Sequence, residues 1–435
     1  MNKTFCKDLK PIKFVFFWLI GYYSCMSTIN TDKAAITNFL GRSVENAYPN
    51  QKAFEKILTT GKRLTAYLGI DPTGPTLHIG HAIQLRKLRE LQDMGHRIIL
   101  LIGDFTAMIG DPTDKTAVRK KQTREQVLAN CENYSKQAGM ILDMDGKQTG
   151  NPVEIKFNSD WLGKMSFADV VELASHFTVQ QMLERDMFSR RMKENPPKPI
   201  YIHEFMYPLM QAYDSVAMDV DIEVGGNDQT FNMLTGRDLM KDLKNKEKFV
   251  LTCKLLTDPT GKKMGKSEGN MITLADSPED MFGKVMSWTD GMISGGYELC
   301  TSISGEEIDS IVQKMEDGEN PVIFKRQLAH RIVSEWHSID QADKAEANFD
   351  LLFKQHSAPE DMPELSVEGA RHKLIDLLVQ SDLVPSKSEA RRQIMQGAVR
   401  VDDQVIKDEG AEVEIQGSAM ILQKGKRGFV RIVCK

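Results

Sequence analysis

Two short segments, far apart in the sequence, combine histidine, lysine and glycine in spacings that suit a chain of phosphates. The first reads His-Ile-Gly-His over residues 78–81, and the second reads Lys-Lys-Met-Gly-Lys-Ser over residues 262–267. Backbone amides at a helix N-terminus and cationic side chains both attract phosphate oxygens. Alone, the histidines could cap a helix and the lysines could form a solvated turn. Together, they predict the two halves of one nucleotide triphosphate site.

Periodicity around the first segment predicts the elements that position it. Residues 63–70 read as a strand, residues 78–94 repeat apolar side chains at helical spacing, and residues 96–103 read as a second, almost continuously apolar strand. A strand, a helix and a strand in this order, with a strand apolar on both faces, are typical of a doubly wound parallel sheet. We therefore predict an α/β, Rossmann-like catalytic domain.

The remaining sequence predicts further domains, because 435 residues exceed one ordinary core. Strands and helices alternate up to residue 271, helices without strands follow, and a short α+β pattern ends the chain. We expect a catalytic domain over residues 27–271, a helical domain over 272–356, a linker over 357–369 and a small α+β domain over 370–435.

The composition is that of a globular protein, with 41% hydrophobic and 27% charged residues. The net charge of −5 gives no overall attraction for nucleic acid, but residues 370–435 contain twelve Lys and Arg against nine Asp and Glu. The six cysteines are scattered without a Cys-x-x-Cys pair, so we expect reduced thiols and no structural zinc.

The first 26 residues stand apart from the rest. Lys10 and Lys13 precede an apolar run over residues 14–23, as in a signal peptide, although this run is too short to span a bilayer. Secretion would separate the protein from nucleotide triphosphates. We therefore expect residues 1–26 to be an extension outside the fold, with Met26 as the true start, a cytoplasmic location and no membrane association.

The two phosphate segments together resemble the signature of the class I aminoacyl-tRNA synthetases, in which His-Ile-Gly-His precedes a distant Lys-Met-Ser-Lys-Ser loop. Gly265 replaces the first serine of that loop here. Tyr67 and residues 109–112, 207–214 and 224–229 resemble the bacterial tyrosyl-tRNA synthetases in particular. The resemblance extends from about residue 28 to the C-terminus.

The resemblance implies an ATP-dependent, Mg²⁺-requiring ligase that forms tyrosyl-adenylate and transfers tyrosine to the terminal ribose of its tRNA. It also implies a homodimer. A carboxylate nucleophile is already ionised at neutral pH, so the first step needs no general base and depends on alignment and charge stabilisation.

Roles for individual residues follow from the same resemblance. The catalytic positions are Thr73, His78, His81, Lys263 and Lys266. Further positions that contact ATP are Gly69, Asp71, Gly80, Lys115, Arg119, Gly226, Asp228 and Ser267. Lys115 and Arg119 could equally belong to a solvated basic run, and Asp228 could lie in a plain turn.

The residues that the resemblance implies for binding tyrosine are Tyr67, Asp71, Asp111, Tyr207, Gln211, Asp214 and Gln229. We expect Tyr67 and Asp214 to contact the phenolic oxygen, since polar groups that lose their partner discriminate against phenylalanine; tyrosyl-tRNA synthetase is itself a standard example of this effect. Asp111, Tyr207 and Gln211 are expected to hold the ammonium. Otherwise Tyr67 is a core aromatic and Asp111 a turn residue.

The basic C-terminal region resembles a small RNA-binding domain of a ribosomal protein. Its predicted RNA contacts are Arg391, Arg392, Arg400, Lys424, Lys426 and Arg427. Charge with only one aromatic residue favours recognition of phosphate and shape over base stacking. The alternatives are a tryptophanyl-tRNA synthetase, a nucleotidyltransferase with a small acceptor, and a non-catalytic RNA-binding relative.

Overall fold

A computed structural model of the chain describes residues 29–111, 123–258, 260, 271–354, 362–369, 371–402, 404–415, 419–425 and 428–434. The predicted extension over residues 1–26 lies outside this part of the chain. The protein divides into two compact units, Met1–Asp276 with Trp288–Pro321, and Ser277–Ser287 with Val322–Lys435.

The described residues form thirteen strands and eighteen α-helices. The strands are β1 (Val44–Tyr48), β2 (Thr65–Ile70), β3 (Arg97–Ile102), β4 (Glu154–Phe157), β5 (Ile222–Gly226), β6 (Phe249–Cys253), β7 (Glu364–Val367), β8 (Arg371–Lys373), β9 (Val399–Val401), β10 (Gln404–Ile406), β11 (Glu412–Glu414), β12 (Met420–Lys424) and β13 (Gly428–Cys434). The helices are α1 (Lys33–Gly41), α2 (Gln51–Leu58), α3 (Ile79–Asp93), α4 (Thr106–Ile109), α5 (Arg124–Ala138), α6 (Ser159–Leu162), α7 (Phe167–Ser175), α8 (Val179–Leu183), α9 (Asp186–Lys193), α10 (Ile202–Met218), α11 (Thr230–Lys244), α12 (Pro278–Met286), α13 (Ile293–Cys300), α14 (Gly305–Glu316), α15 (Pro321–Trp336), α16 (Ile339–Lys354), α17 (Leu374–Gln380) and α18 (Lys387–Met395).

The first unit is built on a six-stranded sheet in the order β1-β6-β5-β2-β3-β4. Strand β1 pairs antiparallel with β6, and the other neighbouring strands run parallel. Chain order reverses between β2 and β5, which is where open parallel sheets bind ligands beside the carboxyl ends of their strands. The predicted doubly wound fold is therefore confirmed.

The first unit also contains α13 and α14, which the sequence assigned to the helical domain after residue 271. The Arg42 guanidinium, just after α1, donates to the backbone carbonyls of Tyr297 and Thr301 at the end of α13, at 3.3 and 2.6 Å. Sequence periodicity carries no signal for such a contact, because the residues are more than 250 positions apart.

The second unit contains helices α12, α16 and most of α15, followed by a small sheet domain. Its five-stranded sheet has the order β10-β9-β12-β13-β7, and a core around Leu374, Leu377 and Ile432 fills the space between sheet and helices. Strand β7 falls within the predicted linker, and it pairs in parallel with β13. Among the described residues, no helix is both long and apolar enough to cross a membrane.

Candidate active site

The first phosphate segment lies at the carboxyl end of β2 and the start of α3. His78 is the N-cap of α3, and its Nδ1 accepts the Gly80 amide at 3.1 Å. In return, His81 Nδ1 accepts the His78 amide at 3.2 Å, and the two ring centroids are 3.9 Å apart. Because each Nδ1 accepts a hydrogen bond, each neutral ring carries its proton on Nε2, which makes Nε2 a donor.

Gly80 and Gly226 keep backbone accessible at the switch point between β2 and β5. A Cβ atom at Gly80 would lie 2.9 Å from the His78 ring, and one at Gly226 would lie 2.6 Å from Asp228 Oδ1. Gly69 is the exposed position of β2, among neighbours that are buried. Glycine at these positions allows a ligand to approach the main chain closely.

Asp71 lies in the loop after β2, where the Thr73 amide donates to its backbone carbonyl at 2.8 Å. The Asp71 carboxylate accepts hydrogen bonds from the Tyr207 hydroxyl at 2.8 Å and the Thr106 hydroxyl at 2.7 Å. Burial, and the nearby charges of Asp71 and Asp111, raise the pKa of Tyr207 well above its usual value, so Tyr207 stays a donor. Asp71 and Tyr207, two of the residues predicted to bind tyrosine, are thus in direct contact.

Asp111 and Gln229 form a second contacting pair among the residues predicted to bind tyrosine. The Gln229 amide donates to Asp111 Oδ2 at 2.6 Å, and the Arg185 guanidinium reaches Asp111 Oδ1 at 3.3 Å. Asn232 then donates to the side-chain oxygens of Gln229 at 2.9 Å and Gln211 at 3.0 Å. One continuous polar network therefore connects Asp111 to Gln211.

The two residues predicted to contact the phenolic oxygen of the substrate are both buried, with 1% of Tyr67 and 3% of Asp214 exposed. Asp214 accepts hydrogen bonds from the Trp161 indole at 2.7 Å and the Asn158 amide at 3.4 Å. Burial raises the pKa of Asp214 well above its usual value, although these two donors oppose the shift. The Tyr67 hydroxyl lies 2.9 Å from Ser215 Oγ.

Burial also raises the pKa of the Tyr67 hydroxyl, and the charges of Glu223 and Asp214 add to the shift. The hydroxyl of Tyr67 therefore remains protonated, which allows it to donate a hydrogen bond.

Sequence reasoning missed several residues of this network: Thr106, Asn158, Trp161, Arg185, Ser215, Glu223, Asn232 and Lys248. The sequence contained one signal that could have revealed two of these residues. Glu223 interrupts β5, whose five residues are all buried, and a charged residue inside a buried strand requires a partner. Lys248, directly before β6, is that partner. The other residues come from distant positions and carry no sequence pattern.

Lys115, Arg119, Lys263, Lys266 and Ser267 lie outside the described residues, but the chain that follows the second segment is described. The Ile79 amide donates to the Ile272 carbonyl at 3.0 Å, and the Leu274 amide donates to the Leu77 carbonyl at 2.9 Å. Between these two hydrogen bonds, His78 and Thr273 form an isolated antiparallel β-bridge. Residues 272–274, which follow Ser267 by five to seven positions in the sequence, therefore lie beside the histidines.

Among the predicted RNA contacts, Arg391 and Arg392 lie on α18 with exposed side chains, while Arg400 on β9 and Lys424 on β12 are half-buried. Arg392 pairs with Glu389 on the same helix at 2.7 Å. Lys426 and Arg427 lie outside the described residues. Strands β9 and β12 are neighbours, so Arg400 and Lys424 belong to one sheet.

Comparisons with known proteins agree with this geometry. Residues 59–354 match the family described as "tRNA synthetases class I (W and Y)", and residues 353–432 match the "Tyrosine--tRNA ligase SYY-like C-terminal domain". The tyrosine–tRNA ligase of Moorella thermoacetica is 44% identical over 416 residues, which cover 94% of this chain and 98% of that protein. The Thermotoga maritima protein of the same name is 43% identical, over 90% of this chain and 96% of that one.

Solved structures show a similar fold. A tyrosyl-tRNA synthetase from Archaeoglobus fulgidus, complexed with L-tyrosine, matches 72% of this chain and 100% of its own, with a TM-score of 0.56 and 20% identity. A C-terminally truncated mitochondrial tyrosyl-tRNA synthetase from Coccidioides posadasii matches 72% of this chain and 92% of its own, with a TM-score of 0.58 and 24% identity.

Proposed function

Because this chain belongs to the tyrosine–tRNA ligases of the class I tRNA synthetase family, we propose that one site carries both of its reaction steps. L-Tyrosine attacks the α-phosphorus of ATP, tyrosyl-adenylate forms, and pyrophosphate leaves. The same site then transfers tyrosine to the terminal ribose of tRNA(Tyr).

The pairing of residues 272–274 with residues 77–79 is the observation that carries this proposal. It brings the chain that follows the lysine-rich segment beside the histidine pair, although the two segments are about 180 positions apart in the sequence. Lys263 and Lys266 can then stabilise the departing pyrophosphate, while His78 and His81 donate from Nε2 to phosphate oxygens. Thr73 supplies a further hydroxyl donor from the loop after β2.

ATP lies against the glycines at the switch point. Gly69 and Gly80 leave room beside β2 and α3, and Gly226 and Asp228 serve the ribose at the end of β5. Asp71 lies where the ATP and tyrosine sites meet, and Lys115, Arg119 and Ser267 add contacts to the phosphates.

Mg²⁺ enters as part of the ATP complex. Across the described residues, no group of three or more His, Cys, Asp or Glu side chains is arranged to hold a metal ion. Magnesium with few protein ligands is bound mainly by substrate phosphates and water. We therefore assign it to MgATP and not to a dedicated protein site.

Tyrosine lies against the residues of the polar network. Asp111, Tyr207 and Gln211, with Gln229 beside them, hold the ammonium, because a carboxylate and neutral oxygens suit a cation. Tyr67 and Asp214 contact the phenolic oxygen. The match of residues 353–432 to a tyrosine-specific C-terminal domain disfavours a tryptophan enzyme.

We also propose a homodimer in the cytoplasm, where ATP and tRNA are available. Several exposed large apolar side chains fall between residues 167 and 202, including Phe167, Val179, Tyr201 and Ile202. Exposed apolar side chains favour a protein interface where they form one contiguous patch. Sedimentation velocity of the wild type and of Phe167→Asp/Ile202→Asp tests this, since the double variant should sediment as a monomer.

The decisive experiment is pyrophosphate exchange with each of the twenty amino acids. Tyrosine should support exchange far above all others, and the same protein should charge tRNA(Tyr). Exchange with tryptophan alone would contradict the substrate assignment. Exchange with no amino acid would contradict the activity.

A further inference from the structure

Lys248 and Glu223 form an ion pair inside the first unit, with 0% and 3% of their side chains exposed. Removing two charges from water costs several kcal/mol for each ion, and their mutual attraction offsets this only when the remaining hydrogen bonds are made. Lys248 Nζ donates to Glu223 Oε2 and, at 2.9 Å, to Ser215 Oγ. Glu223 Oε1 accepts the Gln211 amide at 3.0 Å.

The packing around this pair is adapted to the ammonium group. A Cβ atom at Gly236, inside α11, would lie 2.5 Å from Lys248 Nζ and 3.2 Å from Ser215 Oγ. Glycine within a helix destabilises it by roughly 0.5–1 kcal/mol relative to alanine. The helix therefore carries its least favourable ordinary residue at the point where the ammonium needs space.

The ion pair connects the two ends of the tyrosine site. Through Ser215 it reaches the Tyr67 hydroxyl, which is 2.9 Å away, and through Glu223 it reaches Gln211. Neither Lys248 nor Glu223 belongs to the set of side chains assigned to the substrate.

Hydrogen-bond direction gives this connection a chemical consequence. An ammonium group only donates, so Ser215 Oγ must accept from Lys248. The single hydroxyl hydrogen of Ser215 can then be donated to the Tyr67 oxygen. If it is, the hydrogen of Tyr67 points away from Ser215. The Glu223 carboxylate is a nearby acceptor for that hydrogen, and the phenolic oxygen of a bound substrate is the alternative acceptor.

We propose that Lys248 and Glu223 are positioning residues that orient Tyr67 as a hydrogen-bond donor to the phenolic oxygen of the substrate. Lys248 donates to Ser215, Ser215 donates to Tyr67, and Tyr67 donates to the substrate, which donates to Asp214. Glu223 holds the ammonium in place. This inference rests on tyrosine being the substrate.

One donor and one acceptor match a phenol, which accepts one hydrogen bond and donates one. Phenylalanine would leave the Tyr67 hydroxyl without a phenolic acceptor and Asp214 without a phenolic donor. Without Lys248, the Ser215–Tyr67 bond can reverse, so that Tyr67 and Asp214 both present acceptors to a group with one hydrogen. Preference for tyrosine should then fall, while ATP binding is unaffected.

Two variants test the inference in the full-length enzyme. Ser215→Ala removes the hydroxyl between Lys248 and Tyr67 and little volume. Lys248→Met/Glu223→Gln removes both charges together, because deleting one would leave the other buried and unpaired. The matched control is Thr235→Val, which removes a buried α11 hydroxyl that donates only to the carbonyl of Phe231 in its own helix, at 2.8 Å.

The measurement is kcat/KM for tyrosine and for phenylalanine in pyrophosphate exchange, with the KM for ATP. In both test variants the tyrosine-to-phenylalanine ratio should fall by ~10- to 100-fold, mainly through the KM for tyrosine. The KM for ATP should stay within about 2-fold of wild type, and Thr235→Val should keep the wild-type ratio. Activation of 4-aminophenylalanine, a poor acceptor, should fall less than that of tyrosine.

An unchanged ratio in Ser215→Ala would overturn the inference, even if the double variant failed to fold. Equal losses with tyrosine and phenylalanine would overturn it too, because they would indicate a structural role. Failure of the wild-type protein to prefer tyrosine would instead contradict the proposed function, so the two failures are distinguishable.

Discussion

Two residues at the proposed phenol-binding end of the site show how burial and hydrogen bonding together determine which group accepts and which donates. Asp214 is buried, but donors from Trp161 and Asn158 occupy both of its carboxylate oxygens. Tyr67 is buried among charges that keep its hydroxyl protonated. The result is an acceptor and a donor at known positions, which is the requirement for recognising a phenol.

Asp214→Asn is the direct test at this scale. The amide nitrogen can only donate where a carboxylate oxygen accepts, so the substrate hydroxyl loses an acceptor and kcat/KM for tyrosine should fall by ~10- to 100-fold, as expected for loss of a buried hydrogen bond. The KM for ATP should change little. Pyrophosphate exchange measures both, with Asp309→Asn, an exposed carboxylate on α14, as the control. Unchanged tyrosine kinetics would remove Asp214 from the pocket.

The sequence could predict Tyr67 and Asp214 only because they lie in segments that resemble a known family. Their partners show what a single sequence lacks. Ser215 is 148 positions from Tyr67, and Trp161 is 53 positions from Asp214. Such contacts depend on tertiary packing, and neither Ser215 nor Trp161 stands out by periodicity or composition.

At the scale of elements, the N-terminus of α3 determines how the histidine pair is presented. The His78 ring accepts the Gly80 amide and the His81 ring accepts the His78 amide, and these two bonds hold both rings at the helix end. Long periodic elements such as α3 and β3 were predictable, since their apolar spacing is strong. The edge strand β1 and the short strands β7, β8, β10, β11 and β12 were not, because three to five residues carry little periodic signal.

Gly80→Ala tests the helix end. Alanine favours a helix over glycine by roughly 1 kcal/mol, and displacement of the His78 cap costs about the same, so the variant should fold with nearly the wild-type stability. Its Cβ would lie 2.9 Å from the His78 ring, which must move. We expect kcat of adenylate formation to fall by ~10-fold or more, with tyrosine affinity nearly intact. Stopped-flow kinetics and thermal unfolding measure the two effects.

Gly305→Ala is the matched control for this helix end. Gly305 also opens a helix, α14, but nothing lies within 4 Å of its Cβ position. Its kinetics should equal those of the wild type. Equal kinetics for Gly80→Ala would contradict a role for the His78 ring orientation.

His96 links the start of β2 to β3 and makes stability depend on pH. Its Nδ1 accepts the Leu64 amide at 3.3 Å, and burial lowers its pKa to about 4, with the Arg63 charge adding to the shift. The unfolded chain protonates near pH 6.5. Because the folded pKa is lower, the stabilisation is present above pH 6.5 and is lost as pH falls towards 4.

Urea unfolding at pH 7 and pH 5 measures this loss. His96 should account for about 2 kcal/mol of the decrease in unfolding free energy between these pH values. His96→Asn, whose Oδ1 can accept the same amide hydrogen bond, should remove that part of the decrease in unfolding free energy. His203→Asn, at an exposed position on α10, should retain it. An unchanged slope in His96→Asn would contradict the assignment.

At the scale of the whole molecule, the residues proposed for adenylate formation and for tRNA binding fall in different compact units. The polar network, the histidine pair and the pairing of residues 77–79 with 272–274 all lie in the first unit. The basic residues of α18, β9 and β12 lie in the second. We therefore expect adenylate formation to need no residue from 362 onward, and charging of tRNA to use the small sheet domain.

Removal of residues 362–435 tests this separation. The cut must precede β7, because β7 pairs with β13 and would otherwise be left as an unpaired edge strand. Tyrosine-dependent pyrophosphate exchange should stay within about 3-fold of wild type, since we expect the basic residues of the missing domain to contact only RNA phosphates. Charging of tRNA(Tyr) should fall by ~10-fold or more, through the KM for tRNA.

Arg391→Glu/Arg392→Glu separates lost RNA contacts from a lost domain. Both side chains are exposed on α18, so the variant should keep its fold and its pyrophosphate exchange. Its KM for tRNA should rise, and the dependence of that KM on salt should weaken, because fewer phosphates are neutralised. If truncation and charge reversal both left charging intact, the basic tail would not bind tRNA. If truncation abolished pyrophosphate exchange as well, the tail would stabilise the catalytic unit.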